Sequence, residues 1–219
     1  MVGASVGTAI AVGVPSPGVL DDRRAQKRAG SRTWNNRPRR TVVENMTLTP
    51  MSRAPNLSLP LTTGGSTDEL GLGAGVDGRF TLVLFFRGLH CPVCRKQLSE
   101  FNRRLDDIRS AGVGRVVAVS METAERSAEL VESWHLERLP VAYGLSEESA
   151  REWGLYISTS IKDGEPPRFN EPGMFVLDAD GSLYWSSVAT MPFGRPALDD
   201  VLDGLRFAQD SDYPARGAA

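Results

Sequence analysis

The sequence predicts an α/β protein with a mixed central sheet that is covered by helices. Between residues 80 and 153, apolar segments typical of buried strands alternate with amphipathic segments typical of helices. Beyond residue 172, the pattern changes to two short strands, a tight turn between them and one last helix. Alternating units produce parallel strands and a hairpin produces an antiparallel pair, so we expect both directions in one sheet.

Each element follows from its own residue pattern. Residues 80–86 form a continuous apolar run, as in a strand buried on both faces. Residues 91–111 carry apolar side chains every three or four positions, which predicts one helix that Gly112 closes. The other predicted elements are a strand over 113–120, a helix over 123–135, a strand over 139–144, a helix over 146–153 with Ser146 as N-cap, a polar loop over 158–172, strands over 174–177 and 183–187, and a helix presenting Leu198, Val201, Leu202 and Leu205.

Composition excludes several classes of protein. Of the 219 residues, 41% are hydrophobic and 24% are charged, which is typical of a soluble globular chain able to bury a core. No stretch approaches the ~20 apolar residues that cross a bilayer. Two cysteines are too few for a disulfide-stapled scaffold, and with two histidines they leave little material for a zinc site. The net charge of −2 argues against nucleic acid as a partner.

The charge is unevenly distributed along the chain. Residues 1–53 carry nine Lys or Arg and three Asp or Glu, and they show neither helical nor strand periodicity. We therefore predict a disordered extension over 1–53, a folded domain over 54–208 and a flexible tail over 209–219. Two other interpretations of the extension are a basic nucleic-acid-binding arm and a translation start at Met46 or Met51. Its arginines follow the apolar stretch, unlike those of a secretory signal, so we expect a cytoplasmic protein.

The candidate chemistry is concentrated in Cys91-Pro92-Val93-Cys94, where the strand 80–86 meets the long helix. A helix N-terminus has unpaired N–H groups and a partial positive charge, which favour a thiolate. Pro92 suits the first helical turn because its missing N–H has no partner there. Cysteines three residues apart can close a small disulfide ring, and the nearby Arg87 and His90 can lower a thiol pKa further.

Other interpretations of the pair have less support. Zinc needs two further ligands, and His90 adjoins Cys91 awkwardly for that purpose. An inert buried pair seldom occupies a helix N-terminus with proline between its members. A redox-active pair is therefore the preferred interpretation. For His90, tuning of the thiol and simple exposure to solvent remain equally open.

Residues 83–95, Val-Leu-Phe-Phe-Arg-Gly-Leu-His-Cys-Pro-Val-Cys-Arg, resemble the active-site segment of the AhpC/TSA, or peroxiredoxin-like, redoxins of the thioredoxin-fold superfamily. Residues 54–59 resemble the opening of that family, and residues 172–181 resemble its late strand and turn. The resemblance extends over about residues 54–208. It implies a thioredoxin-like fold in which the dithiol faces a cis-proline loop, so we predict a cis Glu171–Pro172 bond.

The sequence departs from the family pattern at two positions. Peroxiredoxins carry Thr-x-x-Cys with the peroxidatic cysteine last, which here places Cys91 at the threonine position and Cys94 at the peroxidatic one. The family's peroxide-polarising arginine aligns with Pro172. The substitutes that we consider for it are Arg168, Arg195 and Arg87.

The resemblance implies a thiol-dependent oxidoreductase with an antioxidant role that cycles a Cys91–Cys94 disulfide. One mechanism is exchange with a substrate disulfide, in which Cys91 attacks and Cys94 resolves. The other is reduction of a hydroperoxide, for which the family position favours attack by Cys94. Both need an external reductant, either a thioredoxin-like protein or a small thiol, and neither needs a metal or a bound cofactor. The alternative is a non-catalytic redox-sensing or binding module, and the oligomeric state stays open.

Overall fold

The computed structural model describes Gly3, residues 48–68 and residues 78–219. Its strands are β1 (Phe80–Phe85), β2 (Val113–Val119), β3 (Val141–Ala142), β4 (Ile157–Thr159), β5 (Arg168–Asn170), β6 (Gly173–Leu177) and β7 (Leu183–Val188). Its helices are α1 (Pro92–Arg103), α2 (Leu105–Ser110), α3 (Ala124–Trp134), α4 (Glu147–Glu152) and α5 (Leu198–Asp210).

The five-stranded sheet has the order β3-β2-β1-β6-β7 and is mixed, which confirms the predicted fold class. Strand β2 runs parallel to both β1 and β3, because helices make the crossover connections between them. Strand β6 runs antiparallel to both β1 and β7, as the predicted hairpin requires. The register pairs Leu82 with Val176 on one side of β1 and with Val116 on the other.

The central strand β1 is buried on both faces, as its apolar run predicts. Phe80, Leu82 and Leu84 pack in the cluster that contains α1, α2 and α5. Val83 and Phe85 point to the opposite face and pack in the cluster that contains Ala150 of α4 and Trp153. Each such side chain contributes about 1.5–3 kcal/mol on burial, so β1 anchors the end of the sheet from which the cysteine segment leaves.

Two predicted elements differ from the structure. The helix over 91–111 is divided at Arg104, whose φ of −105° and ψ of 21° interrupt the helical path. The Arg104 guanidinium pairs with Asp107 of α2 and Asp199 of α5, so it ties the break to the neighbouring helix. The polar loop over 158–172 contains the antiparallel pair β4 and β5, whose strands of three residues are too short for a periodic signal.

Hydrogen bonds of the folded part reach beyond residues 54 and 208, the predicted domain limits. Met51 donates its N–H to the Leu183 carbonyl (2.8 Å), and Leu183 donates to Ser52 (2.8 Å) at the start of β7. At the other end, the Tyr213 carbonyl accepts a hydrogen bond from the Tyr184 hydroxyl (2.8 Å). The predicted extension over 1–53 lies, except for Gly3 and residues 48–53, outside the described residues.

Among the helices of the described residues, none is long and apolar enough to cross a membrane.

Candidate active site

Cys91 is the N-cap residue of α1, six residues beyond the end of β1. Its Sγ accepts a hydrogen bond from the Cys94 backbone N–H at 3.3 Å, which satisfies one of the unpaired donors of the first turn. Pro92 occupies the start of the helix, as predicted, where its lack of an N–H costs nothing. The helix start therefore holds the Cys91 sulfur against a backbone donor, in an environment that favours a negative charge.

A buried glutamate holds the turn that leads into Cys91. The Glu122 side chain, 2% exposed, accepts a hydrogen bond from the Leu89 backbone N–H at 2.9 Å. Arg126 of α3 donates to the two carboxylate oxygens of Glu122 at 2.6 and 3.2 Å. Gly88 adopts a φ of 126°, and a Cβ there would overlap the Glu122 carboxylate. This carboxylate thus fixes the backbone from which α1 begins.

The two cysteines have opposite acidities. The Cys94 thiol, which hydrogen-bonds to the Cys91 sulfur, is the largest cause that lowers the pKa of Cys91 to about 5. The Cys94 N–H and the guanidinium charges of Arg195 and Arg87 lower it further, against the opposing effect of burial. Burial raises the pKa of Cys94 well above its usual value. At neutral pH, the pair therefore consists of a Cys91 thiolate and a protonated Cys94, which are 1% and 0% exposed.

Arg195 contacts the pair from the segment between β7 and α5. Its Nη2 donates to the Cys94 Sγ at 3.2 Å, and its Nη1 donates to the side chain of Gln97. Its Nε is buried and has no hydrogen-bond partner among the described residues. Of the three arginines considered at the sequence level, Arg195 is the one that reaches a cysteine sulfur, whereas Arg168 pairs with Glu147.

The Arg87 guanidinium lies against the Glu171 carboxyl group beside the cysteines, and both side chains are largely buried. The Arg87 Nε lies 3.2 Å from Glu171 Oε2, and its Nη2 lies 3.7 Å from Glu165 Oε1. Its guanidinium also stacks on the Phe169 ring, 4.7 Å from the centroid. Ser158 donates to Glu171 Oε1 at 2.6 Å. Desolvation is the largest cause that raises the pKa of Glu171, and the charge of Cys91 raises it further.

The His90 ring lies inside the protein, 4.8 Å from the Phe169 ring between centroids. Both ring nitrogens are buried without a hydrogen-bond partner in the described part of the chain. Burial first, and then the positive charge of Arg87, lower the pKa of His90. Its imidazole is therefore neutral at pH 7 and adds no positive charge beside Cys91. In residues 48–68 and 78–219, no group of three or more His, Cys, Asp or Glu is placed to hold a metal.

The predicted cis bond before Pro172 is wrong: the peptide bonds of the described residues are all trans. Glu171 donates its N–H to the Tyr156 carbonyl at 2.7 Å, and the Pro172 carbonyl accepts from Ala189 at 2.9 Å. Gly173 then enters the ladder of β6 directly. The chain stays extended from β5 into β6 and needs no sharp turn, so the trans form, which X–Pro bonds favour, is kept.

Sequence reasoning missed several residues of this site. Glu122 and Ser158 lie far from the cysteines in the chain and belong to no motif. Gln97 lies only three residues after Cys94 on α1, but its role depends on Arg195, a distant residue. Glu171 carried a usable signal, since it is a charged residue between Phe169 and an apolar strand that begins two residues later. Such a charge at the edge of a buried strand marks either an exposed end or a buried function.

The fold is thioredoxin-like, and its two free cysteines lie together at the start of α1. The chain belongs to the AhpC/TSA family, whose model matches residues 50–186. This match confirms the resemblance carried by residues 83–95. It also ends before Arg195, so the arginine at the Cys94 sulfur comes from a segment outside the matched part.

Curated relatives include two proteins of Mycobacterium tuberculosis, from two strains, one of them named "Putative peroxiredoxin Rv2521". Each is 28% identical to this chain over 142 residues, which is 65% of this chain and 86% of the relative.

Similar solved structures are peroxiredoxins and peroxiredoxin-like proteins. A cysteine mutant of peroxiredoxin 6 of Arenicola marina has a TM-score of 0.62 at 16% identity, covering 76% of both chains. The reduced Prx3 of Vibrio vulnificus in complex with hydrogen peroxide has a TM-score of 0.60 at 18% identity, covering 73% of this chain and 99% of that one. A peroxiredoxin-like protein of Aquifex aeolicus has a TM-score of 0.57 at 19% identity, covering 73% and 87%. At these identities, the likeness establishes the fold.

Proposed function

We propose that this protein is a thiol peroxidase in which the Cys91 thiolate attacks a hydroperoxide and Cys94 resolves the product. Membership of the AhpC/TSA family supports a thiol peroxidase-like function, with a peroxide as substrate and a thiol as reductant. The observation that carries the finer proposal is the state of the Cys91 sulfur. It is the N-cap of α1, its pKa is about 5, and the positive charges of Arg195 and Arg87 help to lower that pKa.

The reaction balances in three steps. The Cys91 thiolate attacks the terminal oxygen of R–O–O–H, the O–O bond breaks, and Cys91 becomes a sulfenic acid while RO⁻ takes up a proton. The Cys94 thiol then attacks the sulfenic sulfur, and water leaves as the Cys91–Cys94 disulfide forms. Two external thiols reduce that disulfide and are themselves joined as a disulfide. A reducing compartment such as the cytoplasm would supply these thiols.

The burial of the pair favours a small substrate. Cys91 is 1% exposed and Cys94 is fully buried, so a protein disulfide reaches either sulfur only after the surrounding segments open. A hydroperoxide group needs a far smaller opening than a folded protein partner does. Exchange with a protein disulfide is therefore the less favoured activity of this site.

A second candidate assignment reverses the two cysteines. Cys94 holds the position of the peroxidatic cysteine in the family pattern, and the Arg195 Nη2 donates to its sulfur at 3.2 Å. A guanidinium at this distance stabilises a thiolate and can polarise a bound peroxide. Two observations argue against attack by Cys94. Its side chain is completely buried, and it lies inside α1, where no backbone N–H among the described contacts is directed at its sulfur.

Stopped-flow oxidation of the reduced protein by hydrogen peroxide tests the proposal, with Cys91→Ser and Cys94→Ser run beside it. We expect a rate constant on the order of 10⁴ M⁻¹s⁻¹ or above for the wild type and for Cys94→Ser. In Cys94→Ser the sulfenic acid should persist at Cys91, where trapping with dimedone and mass spectrometry locates it. Cys91→Ser should react no faster than a free thiol.

The opposite pattern of the two variants would assign the attack to Cys94. A wild-type rate equal to that of a free thiol would overturn the peroxidase, and disulfide substrates would then be tested with the same variants. Fast oxidation without turnover in the presence of dithiothreitol would leave the redox-sensing module as the better description.

A further inference from the structure

Two buried glutamates border the cysteine pair, and their hydrogen bonding differs. Glu122 accepts from a backbone N–H and from the Arg126 guanidinium at both oxygens, so its charge is compensated. Glu171, whose side chain is 4% exposed, accepts one hydrogen bond, from Ser158, at Oε1. Its Oε2 faces Arg87 at 3.2 Å but has no hydrogen-bond partner among the described residues. Because Oε2 accepts no hydrogen bond among the described residues, it is the carboxyl oxygen that a proton would occupy.

The backbone places Glu171 at the end of the sheet where the cysteine segment begins. The Asn170 side chain donates to the Phe86 carbonyl at 3.2 Å, and Gly173 pairs with Phe85. Glu171 therefore lies beside the end of β1, and Cys91 follows six residues after that strand ends. The groups that act electrostatically on its carboxyl are Arg87, Cys91 and Arg195, so the cysteine pair and the carboxyl share one environment.

We infer that Glu171 is the acid that protonates the oxygen leaving the peroxide, and that it stores the proton which Cys91 gives up when the pair is reduced. This inference rests on the proposed peroxidase function. Arg87 holds the carboxyl in place, and Ser158 orients it so that Oε2 remains available. A buried acid of this kind protonates the leaving oxygen, so that no strongly basic alkoxide or hydroxide forms in an apolar site.

Protons balance through the whole cycle. In the proposed resting state, Cys91 is a thiolate and Glu171 holds a proton. Attack on R–O–O–H produces the sulfenic acid and RO⁻, to which Glu171 gives its proton, so that alcohol leaves and a carboxylate remains. Disulfide formation releases water without a net proton change. Reduction by two external thiols returns two thiols, and the Cys91 thiol then passes its proton to the Glu171 carboxylate.

The charged surroundings are consistent with this state. Burial is the main cause that raises the pKa of Glu171, and the Cys91 thiolate raises it, whereas Arg87 and Arg195 lower it. Arg87 is itself shared with a second carboxylate, Glu165, at 3.7 Å, which reduces its effect on Glu171. These influences favour a proton on Glu171 while Cys91 is a thiolate.

The test compares two peroxides of nearly equal size with different leaving groups. Ethyl hydroperoxide releases ethoxide, which needs a proton, and peracetic acid releases acetate, which does not. For Glu171→Gln, we expect the oxidation rate constant with ethyl hydroperoxide to fall about 100-fold. With peracetic acid, at a pH where both reagents are protonated, it should fall by less than about threefold. Glu122→Gln is the matched control, and it should change both rates by one common factor.

The rate at which iodoacetamide alkylates Cys91 shows whether Glu171→Gln has altered the thiolate itself. Glu171→Gln should leave the alkylation rate of Cys91 at neutral pH within about twofold, since glutamine has no charge to oppose the thiolate. Equal losses with both peroxides in Glu171→Gln would overturn the inference while leaving the peroxidase intact. A wild-type protein that reacts slowly with both peroxides would instead overturn the proposed function.

Discussion

Two regions border the cysteine pair, and they differ in how completely their polar groups are satisfied. The turn side consists of the backbone from Gly88 to Cys91 together with Glu122, where each carboxylate oxygen has donors at hydrogen-bond distance. The charged side consists of Arg87, Glu171 and Arg195, and each of these has a buried side-chain atom without a hydrogen-bond partner in the described part of the chain.

This difference indicates that the turn side positions the cysteines, whereas the charged side takes part in the reaction. Satisfied groups on the turn side can only hold the helix start in place, because any new partner would have to displace an existing one. On the charged side, the buried N–H groups and carboxyl oxygen that lack hydrogen-bond partners among the described residues carry a desolvation cost. A peroxide or its leaving oxygen could offer them partners. The following predictions test this division in order of decreasing effect.

Arg195→Met should have the largest effect, because it removes the guanidinium that contacts the Cys94 sulfur and lowers the pKa of Cys91. We expect oxidation by hydrogen peroxide to slow about 100- to 1,000-fold in stopped-flow measurements. Arg206→Met is the control, since Arg206 pairs with Asp203 on the surface of α5. Equal oxidation rates for the two variants would show that the Arg195 guanidinium does not assist the reaction with peroxide.

Gly88→Ala should damage the turn side through its backbone. The φ of 126° is unfavourable for alanine, and the new Cβ would overlap the Glu122 carboxylate. We expect the free energy of unfolding of the reduced protein, measured in urea, to fall by about 2–3 kcal/mol. Gly204→Ala in α5 is the matched control: its Cβ meets nothing within 4 Å, and helix propensity should stabilise it by about 1 kcal/mol. Equal stabilities of the two variants would contradict the strain at Gly88.

Asn102→Ala should weaken the fold and spare the chemistry. The Asn102 side chain donates to the His135 carbonyl at 3.0 Å and accepts from the Arg138 and Leu139 N–H groups at 3.0 and 2.9 Å. Its loss leaves these backbone groups unpaired and should cost about 2 kcal/mol of unfolding free energy. The exposed Asn56→Ala should cost less than about 0.5 kcal/mol. A fall in the peroxide rate of the folded Asn102→Ala protein would contradict a purely structural role.

The smallest expected change is that of the Cys91 alkylation rate with pH. The thiolate is the reactive form and its pKa is about 5, so the iodoacetamide rate should be flat above neutral pH and half-maximal near pH 5. One unit lower, it should be about tenfold slower than the plateau. Cys94→Ala removes the largest cause of the lowered pKa, and its midpoint should move upward. A wild-type midpoint at an ordinary thiol pKa would contradict the Cys91 assignment.

Several parts of this molecule could be predicted from local sequence. The β1 segment is a run of apolar residues long enough to identify a buried strand, and the α1 start is identified by the cysteine pair with Pro92 between its members. The β6–β7 hairpin follows from its Asp-Ala-Asp-Gly turn. Strands β4 and β5 could not be predicted in this way, because three residues do not make a period. The expected turn at Pro172 was wrong because pairing on both sides keeps that segment extended.

By itself, the sequence determined the sheet-and-helix architecture, the family and the position of the dithiol, since apolar periodicity, turn residues and a spaced motif all act over a few neighbouring residues. The tertiary structure decided which charges surround that dithiol. Arg195 and Glu171 approach it from segments about 80 to 100 residues further along the chain. Their effect depends on burial and on distances of a few ångströms, and Coulomb interactions of that kind arise only once the sheet has brought these segments to one end.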